Sequence, residues 1–191
     1  MKLTQSFVFS VAAGDASLYE LRIIFKIVEF AQPVLKGLYL AQNLTQLSHN
    51  YDNVHIKLPV SSLVADGTHN YDVVRAACRN LMTKVYEVWD DSNQSYFATP
   101  LIYNFYTQRG EGILHFYVAR RVFDAILDFR RGYCQFELNI ANSIKSANAT
   151  RLYILMCSQP APISFSIDYL KKMFGVQNKY KQTRDFIKRV I

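Results

Sequence analysis

Cysteine is scarce in this chain, with three in 191 residues, at Cys78, Cys134 and Cys157. The number is odd and no two are close in sequence, which excludes a disulfide framework and fits reduced thiols packed in a core. Histidine is equally thin. His49, His55, His69 and His115 are dispersed, and none forms His-x-His or His-x-x-x-His. A metal-dependent nicking enzyme would want a paired His motif on a strand beside a nucleophilic tyrosine; thirteen tyrosines are present and that motif is not, so nicking is not expected. No Gly-x-x-x-x-Gly-Lys-Ser/Thr sequence occurs, which excludes a P-loop and ATP hydrolysis by it. No stretch approaches the roughly 20 uninterrupted apolar residues of a membrane span. The start has a faint leader look, with Lys2 and a short apolar run, but Thr4, Gln5, Ser6 and Ser10 interrupt it. No cleaved leader is expected. Internal repeats, low-complexity tracts and a clear interdomain linker are also absent.

What is present is ample apolar material. Half the residues are hydrophobic and 14% are aromatic, enough for a packed core in one domain, or one plus a partial second. The net charge of +7 is confined to one end. Residues 145–191 hold nine basic side chains against only Asp168 and Asp185, whereas residues 1–144 hold thirteen of each sign. A neutral body with one basic corner points to a polyanion partner, most simply a nucleic-acid backbone.

Local patterns order the chain as follows. Ser17 caps a helix over 17–31 with Glu20 in capping-box spacing, Leu18, Leu21, Phe25 and Val28 inward, and Arg22, Lys26 and Glu29 on the polar side. Pro33 and Gly37 are expected to end it. Val54–Val60 alternates as a strand. Tyr71–Lys84 reads as a helix with Val74, Ala77, Cys78, Leu81 and Met82 inward and Arg75 and Arg79 outward. Val85–Trp89 is a short strand, followed by a turn at 90–93. Ser95–Gln108 and Gly112–Ala119 read as the arms of one aromatic hairpin. A short helix at Val122–Phe129, an extended Gly132–Leu138 and helical stretches at 139–145 and 146–158 follow, broken near Ser146. Ser166 caps a helix over Ile167–Phe174, Gly175 stops it, and a connector leads to a helix over 183–191.

That last helix carries the functional signal. At about 100° per residue, Phe186, Ile187, Val190 and Ile191 share one side, and Arg184, Lys188 and Arg189 share the other. Lys181 extends the basic side, and Lys171, Lys172 and Lys179 flank it. Gln182 and Thr183 sit where a helix N-terminus meets phosphates. A solvated basic face is the plain alternative; the helix–turn–helix spacing favours a recognition helix. Asp90-Asp91 reads as a turn rather than a metal site. Asp124 and Asp128, with Arg120, Arg121, Arg130 and Arg131 around them, read as local ion pairs. The aromatics of residues 96–117 are expected to form a sheet core or a dimer interface rather than a stacking platform for single-stranded bases. His115 is read as a packed or edge residue and His55 as solvated.

The runs Asn139–Leu155, Ile163–Val176 and Lys179–Ile191 together resemble the initiator replication proteins of iteron-type bacterial plasmids. In that family a Lys-Ser element, as Lys145-Ser146, precedes a helix carrying Arg-Leu-Tyr, as Arg151-Leu152-Tyr153. A helix ending in Leu-Gly, here Phe174-Gly175, leads through Lys179-Tyr180-Lys181 to Asp185-Phe186 and Arg189-Val190. Leu18, Glu20 and Arg22 resemble the family's opening helix, and the aromatic hairpin around 95–119 has a counterpart. The resemblance covers most of the chain in order and is most specific in the C-terminal third.

The resemblance implies an α+β winged-helix (helix–turn–helix) fold with an antiparallel aromatic-rich sheet. Family members carry two such domains that touch origin repeats, and the first dimerises through its sheet. The expectation is a single N-terminal winged-helix domain over 1–191, with its helix–turn–helix at about 166–191. The wing that should follow Ile191 and the second domain are expected to be absent from this chain. Residues 32–70 look longer than the family's. The expected function is a non-enzymatic DNA-binding and dimerisation module that binds plasmid origin repeats to start replication. Its DNA-binding residues would be Lys171, Lys172, Lys179, Lys181, Gln182, Thr183, Arg184, Lys188 and Arg189, with no cofactor and no metal. Partners would be double-stranded DNA, a second copy and host replication proteins, in the cytoplasm and without a membrane. The alternatives are a winged-helix protein-interaction module and a transcriptional repressor without an initiator role.

Overall fold

The computed structural model describes residues 1–6, 9, 15–41, 53–64, 71–90, 94–108, 110–129, 132–159, 161, 164–180 and 182–190. The turn at 91–93 therefore lies outside the described residues. The spine is helix α1, Leu18–Ala41. Its inward face is as patterned, with Leu21, Phe25 and Val28 buried, and Ile23, Ile24 and Ile27 beside them. Pro33 does not end it. A proline removes one ladder hydrogen bond and bends the helix, but the Gln32 amide pins the turn before it. Gln32 Nε2 donates to Thr4 O and Val28 O at 2.9 and 3.0 Å, and its Oε1 accepts from Thr4 N at 2.9 Å. Arg22 is not on a solvated side either. It is buried and donates to Leu63 O at 3.1 Å and Asn142 O at 3.4 Å, so it fastens α1 to two distant segments.

Strand β1, Lys2–Ser6, lies on α1. Next come β2, Val54–Pro59, and a single 3-10 turn at Val60–Ser62. Helix α2, Tyr71–Thr83, buries Val74, Ala77, Cys78 and Leu81. Met82 is 38% exposed, the edge of the predicted apolar face having turned past the core. The aromatic region divides differently from the single hairpin expected. Strand β3, Val85–Asp90, pairs with β4, Ser95–Pro100, in one hairpin closed at Asp90 and Ser95. Buried Leu101 and Ile102 break the run, and Leu101 N–H bonds Lys84 O at 3.1 Å. Strand β5, Tyr103–Thr107, then pairs with β6, Ile113–Val118. Two apolar residues anchored in the core thus split one long arm into strands of two sheets.

β6 also pairs with β2, giving a three-stranded antiparallel sheet in the order β2-β6-β5. Ile56, Leu58, Leu114, Phe116 and Val118 face the core. The β5–β6 connection projects as a wing, with Gly110 and Gly112 at φ +88° and +61°, a region open to glycine. Helix α3, Arg120–Ile126, follows, with its Arg120–Asp124 ion pair at 2.9 Å. Strand β7, Tyr133–Glu137, returns to pair with β1. Helices α1 and α2 against this winged sheet make the α+β winged-helix body. Cys78 and Cys134 are buried and not disulfide-bonded, Cys134 Sγ donates to Ile154 O at 3.2 Å, and burial pushes Cys78 up to about 12.

Helix α4, Leu138–Ser143, is followed by α5, Ala147–Cys157, whose cap is Ser146, accepting from Ala149 N. Helices α6, Ile167–Met173, and α7, Thr183–Val190, complete the chain. Their buried Phe174 and Phe186 form a second apolar cluster with Leu152, Ile167, Leu170, Met173, Val176 and Tyr180, apart from the main core.

A charged cluster holds the start of α1. Ser17 Oγ receives Glu20 N–H at 3.4 Å and donates to Glu20 Oε1 at 2.9 Å. Asn80 Nδ2 donates to Oε1 at 3.1 Å, and Lys84 Nζ lies 2.6 Å from Oε2 and 2.7 Å from Asp15. Burial alone would push the Glu20 carboxyl up; the bonds from Lys84, Asn80 and Ser17 outweigh it and hold the group below its ordinary value. The Lys84 hydrogen bond lowers Asp15 as well. Carboxyls lowered on folding stabilise the fold above their unfolded values of 4.5 and 3.8, and that stability is lost as pH falls through the lowered values. Urea unfolding against pH should show this acid limb. Lys84→Met should flatten it and cost about 3 kcal/mol near neutrality. An unchanged limb would refute the assignment.

Candidate nucleic-acid interface

Helix α6 is built by its ends. Ser166 Oγ accepts Tyr169 N–H at 3.1 Å, as the sequence suggests. At the other end Gly175 has φ +65°, its N–H bonds Lys172 O at 3.1 Å, and Val176 N–H bonds Lys171 O at 2.9 Å. That pair of bonds is the Schellman stop, which a glycine permits at little steric cost. The chain then turns toward α7. Phe186 packs against Phe174 at 6.4 Å and against Tyr180 at 5.9 Å between ring centroids. Ile187, placed by the pattern on the apolar side, is instead 39% exposed. Val190 and Ile191 lie outside what the structure describes of side chains.

This packing sorts the sequence-predicted basic residues. Lys172, Lys179, Gln182, Thr183, Arg184 and Lys188 are all exposed, and so is Asp185. Lys171 is half-buried. Its Nζ donates to Tyr180 O at 3.2 Å and stands 6.0 Å from the Phe186 ring centroid, so it ties the connector to α6. Its ammonium is a brace, less available to a partner than the others. Lys181 and the side chain of Arg189 lie outside the described residues. The structure therefore brings Arg184 and Lys188 onto one exposed helix, with Lys172 and Lys179 on the elements before it.

Two neighbours on α5 join the helix pair to the body: Leu152 packs into the Phe174 and Phe186 cluster, and Arg151 bridges by hydrogen bonds. Arg151 is 8% exposed. Nη2 donates to Ala16 O at 2.7 Å, just before α1, and Nη1 donates to Phe174 O at 3.2 Å, at the end of α6. Desolvation pulls this guanidinium below its ordinary value, while Asp15 and Glu20 pull it back up. An arginine stays charged under such pressure.

A second basic feature lies on the body. Arg75 and Arg79 are exposed on α2, one helical turn apart. Arg75 Nη1 is 3.3 Å from exposed Asp72. The sequence pattern places both arginines outward but gives them no role, because residues 1–144 sum to zero charge. Spacing on a helix beside a winged sheet is the signal that could have found them.

A family model described as Initiator Replication protein, WH1, matches residues 2–157. The match ends with α5, so α6 and α7 lie beyond it. No curated protein sequence matches the chain. Among solved structures, the chain is similar to the Pi initiator protein crystallised in complex with iteron DNA. The identity is 13% and the TM-score 0.57, over 91% of this chain and 72% of that one. At that identity the likeness is one of fold.

The two end signals of α6 make separate contributions. Ser166→Ala removes a side-chain cap, and Gly175→Ala forces a β-carbon into a left-handed residue; each should lower stability by about 1 kcal/mol. Chemical denaturation would measure both, and two neutral substitutions would contradict this account of α6.

Proposed function

The chain belongs to the initiator replication protein family, and from that premise we propose that it binds duplex DNA at plasmid origin repeats to start replication. The observation that carries the reading is the exposure of Lys172, Lys179, Arg184 and Lys188 along a helix–turn–helix whose Phe186 is packed on Phe174. Lysine and arginine on phosphates supply affinity, while base-edge contacts from α7 would supply selectivity. Lys181, Gln182, Thr183 and Arg189 extend the same set, and Lys171 positions it. The Pi initiator, similar in fold, was crystallised with iteron DNA, which supports this choice of partner.

We read residues 1–191 as one N-terminal winged-helix domain: the family match covers residues 2–157, and α6 and α7, with their smaller apolar cluster, are coupled to it through Leu152 and Arg151. On this reading the body offers a second DNA face through Arg75 and Arg79, beside its own wing around Gly110 and Gly112. The role is non-enzymatic and cytoplasmic, and a second copy would associate through the sheet. Host replication proteins are further partners. A protein-interaction module lacking DNA affinity, and a repressor on the same scaffold, are the rival readings.

Fluorescence anisotropy against duplexes with and without direct repeats, at several salt concentrations, separates these. Salt-sensitive binding with preference for repeats is expected. Arg184→Ala with Lys188→Ala should flatten the log–log salt slope by about two units, about one for each phosphate left without its cation. An unchanged slope would overturn the interface. Concentration-dependent dimers with no DNA affinity would favour the interaction module.

A further inference from the structure

The outer face of the β2-β6-β5 sheet carries a row of stacked rings. Tyr106 stacks on His115 at 4.5 Å and 8°, and Tyr117 stacks on His55 at 4.5 Å and 11°. The two imidazoles meet between these tyrosines. His55 lies opposite Tyr117 and His115 opposite Lys57, so the histidines are diagonal neighbours on adjacent strands. His55 Nε2 is 3.4 Å from His115 Nδ1. Two imidazole nitrogens bound to one tetrahedral Zn²⁺ at about 2.0–2.1 Å stand about 3.3–3.4 Å apart. Without a metal this contact is an N–H···N hydrogen bond between rings stacked at 5.5 Å and 28°, and its length also matches the nitrogen spacing of a two-imidazole chelate, with the tyrosine faces holding both rings in place.

The other nitrogen of His115 supplies an independent observation. His115 is 8% exposed, and its Nε2 is buried with no hydrogen-bond partner. Glu111 Oε2, on the wing, stands 3.9 Å away. The Gln108 amide, turned with its nitrogen toward Glu111, donates to that carboxylate at 2.5 and 3.0 Å. A metal-bound histidine characteristically donates its free N–H to a carboxylate, which fixes the tautomer and strengthens the ligand. Here a wing shift of about 1 Å would bring Glu111 within hydrogen-bond reach. The proton would then sit on Nε2 and leave the Nδ1 lone pair facing His55.

We propose that His55 Nε2 and His115 Nδ1 form a two-imidazole site for a divalent transition-metal ion, Zn²⁺ above all, with Glu111 orienting His115 from the wing. Among the described residues no group of three or more His, Cys, Asp and Glu side chains is placed to hold a metal. The described residues supply two ligands, and water or another donor fills the rest. Imidazole suits Zn²⁺, Ni²⁺ and Cu²⁺ and does not suit Mg²⁺ or Ca²⁺. A bound ion would draw Glu111 in and stiffen the wing.

The test is titration of the whole chain with ZnCl₂, followed by calorimetry and by ¹⁵N NMR of the histidine rings. One ion per chain is expected, with both His55 Nε2 and His115 Nδ1 shifting on binding. Glu111→Gln should weaken uptake by about tenfold. His55→Gln, at a half-exposed position that should leave the fold intact, should weaken it further. Replacing His49 and His69 together by Gln should leave uptake intact. Lack of uptake at millimolar Zn²⁺ would overturn the proposal. Uptake unchanged by His55→Gln, uptake abolished by the His49 and His69 replacements, or ring shifts confined to other histidines would do the same.

Discussion

The arrangement depends on one buried guanidinium. Arg151 reaches from α5 to Ala16 O in the body and to Phe174 O in the helix pair, with Asp15 and Glu20 close enough to favour its charge. An arginine buried this deeply is tolerated only where carbonyls and nearby carboxylates replace its water. The same carboxylates receive Lys84, at the end of α2. The start of α1 is therefore a polar junction at which α2, α5 and α6 are fixed. Arg22, one turn along α1, plays a parallel part toward Leu63 and Asn142. Around these polar pins the apolar core, from Phe25 to Phe116 and Phe136, supplies the bulk of burial without choosing the relative placement of the elements.

That placement has a functional consequence. The α6–α7 pair has a small core of its own, two buried phenylalanines and six partly buried neighbours. Alone it would be marginal, because so few apolar residues offset little conformational entropy. Anchored through Arg151, its exposed cations are held at a set position relative to the winged sheet and to α2. On the proposed reading, a duplex met by both faces would gain from each without ordering a flexible joint on binding.

Much of this was legible in the sequence where local chemistry decides. Ser17 with Glu20, Ser166, Gly175 and the Ile56–Leu58 alternation all act within a few residues, and each appears as patterned. The readings that changed depend on distant partners. Arg22 looked solvated because nothing local shows Leu63 and Asn142 arriving beside it. Pro33 looked terminal because the partner that clamps Gln32 before it, Thr4, arrives from β1. The long aromatic arm looked like one strand because the anchoring of Leu101 and Ile102 is a property of the core. Among the candidate site residues, exposure of Arg184 and Lys188 was readable from periodicity, while Lys172 and Lys179 were placed only as neighbours of that helix. The inward use of Lys171 was not readable, since it depends on where the connector places Tyr180 O. Arg151 was visible only as part of a family-like motif; its bridging role needed the fold.

The most direct test of the Arg151 junction is native-state amide hydrogen exchange on the wild-type chain and on Arg151→Met. The account predicts faster exchange in two places far apart in sequence, the start of α1 near Leu21 and the end of α6 at Phe174 to Val176, while β6 keeps its protection. Faster exchange limited to α5, with α1 and α6 unchanged, would contradict the claim that the Arg151 guanidinium fastens both the start of α1 and the end of α6.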